Sequence, residues 1–355
     1  MTVSVAGSKV SGPNQRAEFY QEMVRYVRAM PGIQSAGLIN HLPLAGDTWG
    51  WPFWIEGEPL PAPGEGPDAI YRVVIPGYFQ TMGIPLMSGR DVNETDTKNS
   101  GGVLVINERL ADRYWPGQDP IGKRISLENP QKGASWLSIV GVVRNSKQEE
   151  WAARPEGEVF LPYLQNHYYM ESSNAFSYMT LVARTTGDAA QLAPSIESQV
   201  WAVDPSVTIS EIQTMDQVVA KATAEPRFNL LLLGAFASIA LVLAAVGIYG
   251  VTSYSVHRRT HEIGIRMALG AGRADVRRLI LRQAMTLALV GAGAGLGGAV
   301  GLARLMRGIL YGVEPTDAGT YIVVTVVLCG VALASAYIPA RRATRSDPIA
   351  ALRCE

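Results

Sequence analysis

Three segments of the sequence contain residue types and spacings that could bind phosphate or a metal ion. Residues 117–124 (GQDPIGKR) are close to the phosphate-binding pattern G-x-x-x-x-G-K-[ST], and residues 293–298 match the dinucleotide-binding pattern G-x-G-x-x-G. His257 and His261 are four residues apart, with Glu262 beside the second, so a helix would present both imidazoles on one face. Each pattern, if genuine, would indicate a nucleotide-dependent or metal-dependent enzyme.

The surrounding sequence argues against all three sites. Arg124 stands where a Ser or Thr hydroxyl would bind Mg²⁺, and Pro120 interrupts the loop, so residues 117–123 are predicted to form a turn between a helix and a strand. The glycines of 293–298 lie inside an apolar stretch with no preceding strand. Glu262 follows the second histidine, which is not the H-E-x-x-H order, and the neighbouring arginines disfavour a cation.

The remaining reactive residue types are scattered. No serine lies in G-x-S-x-G, and neither Cys329, in an apolar run, nor Cys354, next to the end, has a partner histidine or a position typical of a disulfide framework. Trp49, Trp51 and Trp54 cluster near a proline and are predicted to cap a core, although a ligand-facing patch is the alternative. The sequence therefore predicts no catalytic, cofactor or metal site.

Three stretches without a charged residue are long enough to cross a bilayer. They comprise residues 228–256, 283–303 and 318–340. At about 1.5 Å per residue even the shortest covers about 30 Å, the thickness of a hydrocarbon core. The sequence predicts a membrane domain with three transmembrane helices. The second span is glycine-rich, and its overlapping G-x-x-x-G steps predict close helix packing at Gly291, Gly293, Gly295, Gly297 and Gly301.

The formal net charge of zero hides an acidic part and a basic part. Residues 1–227 have 18 Lys and Arg against 25 Asp and Glu, whereas residues 228–355 have 13 against 6. For residues 1–227, this distribution excludes a nucleic-acid binder with one broad basic face. Arginines cluster in residues 257–282 and 341–355, which two spans separate, so both segments are predicted to lie in the cytoplasm and residues 1–227 outside.

The beginning of the chain lacks an export signal. Residues 1–9 have no basic start followed by an apolar stretch of signal length, and nothing before residue 228 could start export of a large outer domain. We therefore expect that a transmembrane span preceding this sequence is missing.

Residues 1–227 alternate short strand and helix signals and are predicted to form an α+β extracytoplasmic domain. The all-α membrane domain follows at residues 228–355. Predicted helices cover 13–30, 188–203 and 214–222, with Asp188 and Thr214 as N-caps; predicted strands cover 33–40, 69–75, 103–107, 136–143 and 177–183; and predicted loops include 59–67 and 129–133.

Residues 258–271 (RRTHEIGIRMALGA) are the most informative segment because they join basic residues to E-I-G-I and then A-x-G-A. The segment resembles the cytoplasmic segment of MacB/FtsX-type ABC transporter permeases. The ending at 339–353 and outer-domain segments such as 76–79 (PGYF) and 114–123 (YWPGQDPIGK) are similar to the large, often duplicated acidobacterial permeases of this family. The resemblance covers nearly the whole chain.

The resemblance implies four spans per permease unit, so the three spans here would match the second, third and fourth. It also implies a bacterial inner-membrane protein with a lipid-embedded domain and a second permease unit in a dimer or pseudo-dimer. ATP would be bound by a separate cytoplasmic ATPase subunit. The segment docking on that ATPase would contain Glu262, Ile263, Gly264, Ile265, Arg266, Ala268, Gly270 and Ala271, with Met267 and Leu269 as further apolar contacts.

Two other classes of function stay open at this point. One is a membrane-anchored signalling or scaffolding protein whose outer domain senses a ligand. The other is a membrane-tethered extracytoplasmic enzyme, for which the sequence offers no acid/base, nucleophile or metal constellation. Association with a cytoplasmic ATPase would separate the permease from the signalling protein.

Overall fold

The structure is a computed structural model of the 355-residue chain. It describes residues 1–10, 12–46, 48–62, 66–133, 135–148, 155–171, 178–305 and 318–343. Two compact units divide the chain, Met1–Ala224 and Glu225–Glu355. The predicted boundary after residue 227 is three residues away from this division.

The first unit combines strands and helices in alternation. Its strands are β1 (Thr2–Ser4), β2 (Ile33–Ile39), β3 (Gly50–Pro52), β4 (Trp54–Ile55), β5 (Asp68–Val74), β6 (Leu86–Gly89), β7 (Val103–Asn107), β8 (Arg124–Ser126), β9 (Leu137–Val143), β10 (Glu158–Pro162), β11 (Tyr178–Thr185) and β12 (Thr208–Ser210). Its helices are α1 (Pro13–Ala29), α2 (Tyr78–Met82), α3 (Glu108–Tyr114), α4 (His167–Glu171) and α5 (Ala189–Val203), with 3-10 turns at Pro130–Lys132 and Tyr163–Gln165.

Within the described residues the strands form one mixed sheet, in the order β12-β1-β11-β2-β5-β10-β7-β9-β8-β4, with β3 paired to β5 and β6 to β9. The pairs β5–β10 and β7–β9 are parallel, and the other pairs are antiparallel. The mixture of both kinds of pairing with helices agrees with the predicted α+β class.

Both faces of the sheet are buried, and the side chains alternate between them as the strand period requires. Leu104 and Ile106 of β7 belong to one hydrophobic cluster, and Val105 between them belongs to another. The first cluster includes Phe19, Tyr20 and Met23 of α1 and Ile196 and Val200 of α5. The second includes Tyr78 and Phe79 of α2.

Most predicted elements of this unit are present. Asp188 caps α5, since its Oδ1 accepts a hydrogen bond from the amide of Ala190 at 2.9 Å. Thr214 and Gln217 form reciprocal side-chain to backbone bonds at the start of the next helix. Residues 117–123 form a turn between α3 and β8, as predicted, whereas the predicted loop 129–133 contains a 3-10 turn.

The second unit contains the apolar helices. The structure has α6 (Met215–Arg258), α7 (Thr260–Ala268), α8 (Arg273–Leu305) and α9 (Ala318–Ala343). The predicted helix at 214–222 and the first predicted span are thus parts of one continuous helix, α6, which runs through Pro226. Among the described residues, three helices are long and apolar enough to cross a membrane: Met215–Arg258, Arg273–Gly301 and Tyr321–Arg342.

α8 and α9 pack against each other. On α9 the buried residues Ala332, Ala336 and Ala340 recur every fourth position, so they share one helix face. The Arg342 guanidinium donates a hydrogen bond to the Tyr249 hydroxyl of α6 at 3.2 Å. Small side chains at such a face let two helix backbones approach closely.

Candidate functional site

The short helix α7 lies between the two long helices α6 and α8 in sequence and contains the motif residues at 262–268. It is separated from α6 by Arg259, whose φ of −105° and ψ of 14° leave the helical region. It ends in a Schellman motif: the amide of Ala271 donates to the carbonyl of Arg266 at 3.0 Å and that of Gly270 to Met267 at 3.1 Å.

Gly270 occupies the position that this ending requires. Its φ is +99°, a left-handed conformation that a glycine adopts without a steric penalty. The predicted helix end at Gly270 is therefore present, and the chain turns sharply there before α8 begins at Arg273.

α7 is amphipathic, with two faces that differ in burial. Ile263, Gly264 and Met267 form its inward face: Gly264 is buried, and the two apolar side chains pack against Val276 and Ile280 of α8 and Ala340 of α9. Exposed residues form an outward face, in which the C-cap Leu269 is 83% exposed and Ile265 is 42% exposed. This outward face comprises His261, Glu262, Ile265, Arg266 and Leu269.

The contact of Ile263 and Met267 with an ATPase stays a prediction, and in the chain as folded here both residues lie on the inward face. Both side chains are partly buried against α8 and α9, because the helical period places them on the inward face with Gly264. Gly264 is buried on the same face. Among the predicted apolar contacts, Ile265 and Leu269 are the exposed ones.

The charged residues of α7 form a local pair. Arg266 Nη2 lies 2.6 Å from Glu262 Oε1, one helical turn away, and both side chains are about half exposed. An exposed pair of this kind contributes only about 0.3–0.5 kcal/mol. His257 and His261 are exposed, and the described residues contain no cluster of three or more potential metal ligands.

The glycine steps of α8 have no neighbour in the described part of this chain. A Cβ built on Gly291, Gly293, Gly295, Gly297 or Gly301 would meet nothing within 4 Å. Close packing of another helix against these glycines therefore stays a prediction, and that helix would lie outside the described residues.

The buried alanines of α9, Ala332, Ala336 and Ala340, form a contact surface that was not predicted from the sequence. Their spacing of four residues was the signal that could have indicated it.

The phosphate-like segment 117–124 is engaged in local contacts. Lys123 Nζ donates to Gln118 Oε1 at 3.0 Å, and the Arg124 guanidinium forms an ion pair with Glu56 on a neighbouring strand end. The geometry agrees with a turn joining α3 to β8.

The tryptophan cluster surrounds a buried polar core. Trp49 stacks on His41 at 5.0 Å between ring centroids, and Trp51 donates to the carbonyl of Leu127 at 3.0 Å. His41 is buried, with the hydroxyls of Tyr169 and Tyr178 at 3.0 and 3.1 Å from its two ring nitrogens. These contacts support the core-capping interpretation of the tryptophans.

Two family models match the chain in succession. The MacB-like periplasmic core domain matches residues 3–199, and the FtsX-like permease C-terminal domain matches residues 234–348. The first corresponds to the mixed-sheet unit and the second to the helical unit. The segment around α7 lies within the second match.

Curated relatives are larger than this chain. A pyoverdine export ATP-binding/permease protein, PvdT, of Pseudomonas syringae pv. syringae (strain B728a) is 29% identical over 76% of this chain and 40% of its own length. A macrolide export ATP-binding/permease protein, MacB, of Azoarcus sp. (strain BH72) is 28% identical over the same shares. The chain thus spans about 40% of the length of these relatives.

Solved structures of outer domains are also similar. The periplasmic region of MacB from Actinobacillus actinomycetemcomitans matches 56% of this chain and 82% of its own, with 14% identity and a TM-score of 0.38. The extracellular domain of the ABC-type transporter YknZ from Gram-positive bacteria matches 59% of this chain and 100% of its own, with 12% identity and a TM-score of 0.35.

The two family matches cover the outer unit and the helical unit in the order that the motifs indicated. The mixed-sheet unit is a MacB-like periplasmic domain, and the helices after it include three candidate membrane spans. The protein is a membrane protein homologous to the permease parts of ABC export systems, and the chain belongs to the MacB/FtsX-type permease family.

Proposed function

We propose that the chain is a transmembrane permease subunit, or half-subunit, of an ABC exporter. A cytoplasmic ATPase binds ATP and docks on α7, and its closure moves the spans and thereby the extracytoplasmic domain. The observation that supports this proposal most strongly is that α7 has one face packed within the helical unit and one exposed face. Its inward face anchors the helix on α8 and α9, while Ile265 and Leu269 offer apolar contacts beside the exposed Glu262 and Arg266.

The absence of charge in the spans supports a mechanical role. Residues 228–256, 283–303 and 318–340 contain no Asp, Glu, Lys or Arg. Ionisable residues inside a membrane usually mark an ion or substrate pathway. A chain without them is suited to transmitting motion to the outer domain, where an exported compound would be handled.

The proposal includes an orientation and a second copy. Residues 257–282 and 341–355 lie in the cytoplasm of the inner membrane, and the first unit lies outside. The permease acts with a second unit, as a dimer or pseudo-dimer, whose helices would cover the glycine steps of α8. Two relatives are named for pyoverdine and macrolide export, which indicates export as the class of process.

The ATPase contact is tested with Leu269, whose side chain is the most exposed apolar group of α7. We expect Leu269→Ser to remove most of the stimulation that the permease gives to ATP hydrolysis by its cytoplasmic ATPase partner, measured in proteoliposomes. Leu269→Met is the matched control, since it keeps an apolar side chain of similar volume and should retain stimulation. Full stimulation by the Ser variant would contradict docking at α7.

Gly270→Val provides an independent test of the same helix. A β-branched residue at a φ of +99° is strained, so the Schellman ending and the direction of Leu269 should change. We expect stimulation to fall while the amount of protein inserted in the membrane stays constant. A variant that inserts normally and stimulates fully would show that the end of α7 is not part of the contact.

A further inference from the structure

A groove of about 410 Å³ lies between α6, α7 and α8 on the side of the helical unit that ends at the basic segment. Its floor is formed by Val276, Ile280 and Ala284 of α8, whose side chains are 4%, 8% and 7% exposed. Its walls include Val251 of α6 and Leu287 and Val290 of α8, which are all more than half exposed. The groove is therefore an open apolar channel along two spans.

The polarity of the lining changes from one end of the groove to the other. Arg259, Glu262 and Arg266 line the end at α7. Farther along the spans the lining is uncharged: Thr252, Ser255, Gln283 and Thr286 supply hydroxyl and amide groups among aliphatic side chains such as Val251, Leu287 and Val290. A charged end followed by an uncharged and largely aliphatic stretch matches a phospholipid, whose phosphate precedes its acyl chains.

The charged end has an excess of positive charge. Glu262 is neutralised by Arg266 at 2.6 Å, whereas Arg259 forms no ion pair among the described residues. The other residues that line this end, Val256, Ile263 and Val276, are uncharged. An anionic group beside Arg259 would therefore be stabilised and would meet no unpaired carboxylate.

The length of the groove fits one leaflet. Its lining on α8 runs from Val276 to Val290, and 14 residue steps at about 1.5 Å correspond to about 21 Å. Half of a hydrocarbon core is about 15 Å, and the interfacial region adds several ångströms to each side. The groove thus extends from the headgroup level to about the middle of the bilayer.

We propose that this groove binds an anionic phospholipid of the leaflet next to α7, with the phosphate on Arg259 and one acyl chain along Val251, Leu287 and Val290. A transmembrane helix of a second copy is a poorer occupant. The three spans of this chain contain no acidic residue, so such a helix would bring no anionic group to Arg259, which lines the groove without an ion pair among the described residues.

Photo-crosslinking distinguishes the occupants directly. The full chain would carry the photoreactive residue benzoylphenylalanine at Leu287, in nanodiscs of phosphatidylcholine with or without phosphatidylglycerol, and intact-mass spectrometry would identify the adduct. We expect adducts with single lipid molecules, with phosphatidylglycerol favoured about fivefold over its share in the bilayer, which is the factor that one basic residue near the surface supplies.

Two substitutions connect the preference to the charged end of the groove. Arg259→Gln should abolish the preference for phosphatidylglycerol, and Arg259→Lys should retain most of it. Arg258→Gln is the matched control, since Arg258 is the neighbouring arginine but does not line the groove. Equal labelling of both lipids by the unsubstituted chain, or a covalent dimer in place of lipid adducts, would overturn the proposal. The effect of Leu269→Ser on ATPase stimulation tests the proposed function separately, and neither lipid result changes what it is expected to show.

Discussion

Arg72 and Glu158 show at the scale of single residues how the outer unit accommodates charge. Both side chains are fully buried on adjacent parallel strands, and Arg72 Nε lies 3.3 Å from Glu158 Oε1. Arg72 Nη1 also donates to the carbonyl of His41 at 2.7 Å, and Ser146 donates to Glu158 at 3.1 Å. Burial raises the pKa of the adjacent Tyr78 phenol well above its ordinary value, so it stays neutral beside the pair.

Breaking this pair should strongly destabilise the outer unit. We expect Arg72→Met to lower the free energy of unfolding by about 3–5 kcal/mol, because Glu158 would be left buried and unpaired. Urea unfolding followed by tryptophan fluorescence measures this change in the full chain in detergent, since all seven tryptophans lie in residues 1–224.

The double variant Arg72→Met with Glu158→Leu is the control for this prediction. It removes both charges and leaves apolar side chains, so it should be more stable than Arg72→Met alone. A double variant that is no more stable than the single one would show that the destabilisation comes from lost packing and not from the unpaired carboxylate.

At the scale of elements, α7 and the helices around it show what periodicity can reveal. The burial of Ile263, Gly264 and Met267 follows the i, i+1, i+4 pattern of one helix face, whereas Glu262, Ile265 and Arg266 share the other. The motif alone identified this segment as important. Only the packing partners Val276, Ile280 and Ala340 decide which of its residues can reach another protein.

The alanine stripe of α9 should be sensitive to added volume. We expect Ala336→Leu, at a side chain that is 0% exposed, to disrupt the contact with α8 and to lower the temperature at which the detergent-solubilised protein aggregates. Ala334→Leu is the matched control because Ala334 is exposed on the same helix and would face lipid.

Equal stability of these two variants would contradict the packing of α9 on α8. A decrease confined to Ala336→Leu would identify the alanine face as the contact surface of this unit. The measurement compares the same substitution two residues apart, so the effect of leucine on helix propensity is held constant.

The sequence was sufficient to predict the strands β2, β5, β7, β9 and β11 and the helix α1, because each has a clear apolar period and turn residues at its ends. It was not sufficient for short pairings such as β4 with β8, whose residues become neighbours only through the fold. The Arg72–Glu158 pair was missed for the same reason, since the partners are 86 residues apart.

In the candidate site, too, features that depend on local sequence could be predicted, and features that depend on packing could not. The motif and the Schellman ending at Gly270 could be predicted because they depend on local sequence, and both are present. The inward position of Ile263 and Met267 depends on α8 and α9, so local sequence could not predict it. The unpartnered glycine steps of α8 stay a prediction about helices outside the described residues.

The distribution of charge over the whole molecule carries the proposal for its orientation. Residues 228–355 have an excess of seven basic residues, and residues 1–227 have an equal excess of acidic ones. The arginines cluster beside the ends of the spans, where they bias insertion toward the cytoplasmic side. In the proposed orientation the outward face of α7 lies in the cytoplasm, which is the side where ATP is available to a partner ATPase.

Cysteine accessibility in intact cells tests this orientation. After Cys329 and Cys354 are replaced by serine, Lys98→Cys and Leu269→Cys each place one thiol at an exposed position, the first in the outer unit and the second on α7. We expect a membrane-impermeant maleimide to label Lys98→Cys, whereas Leu269→Cys should react only after the membrane is permeabilised. Labelling of Leu269→Cys in intact cells would reverse the orientation and remove the ATPase contact from α7, because a cytoplasmic protein could not reach it.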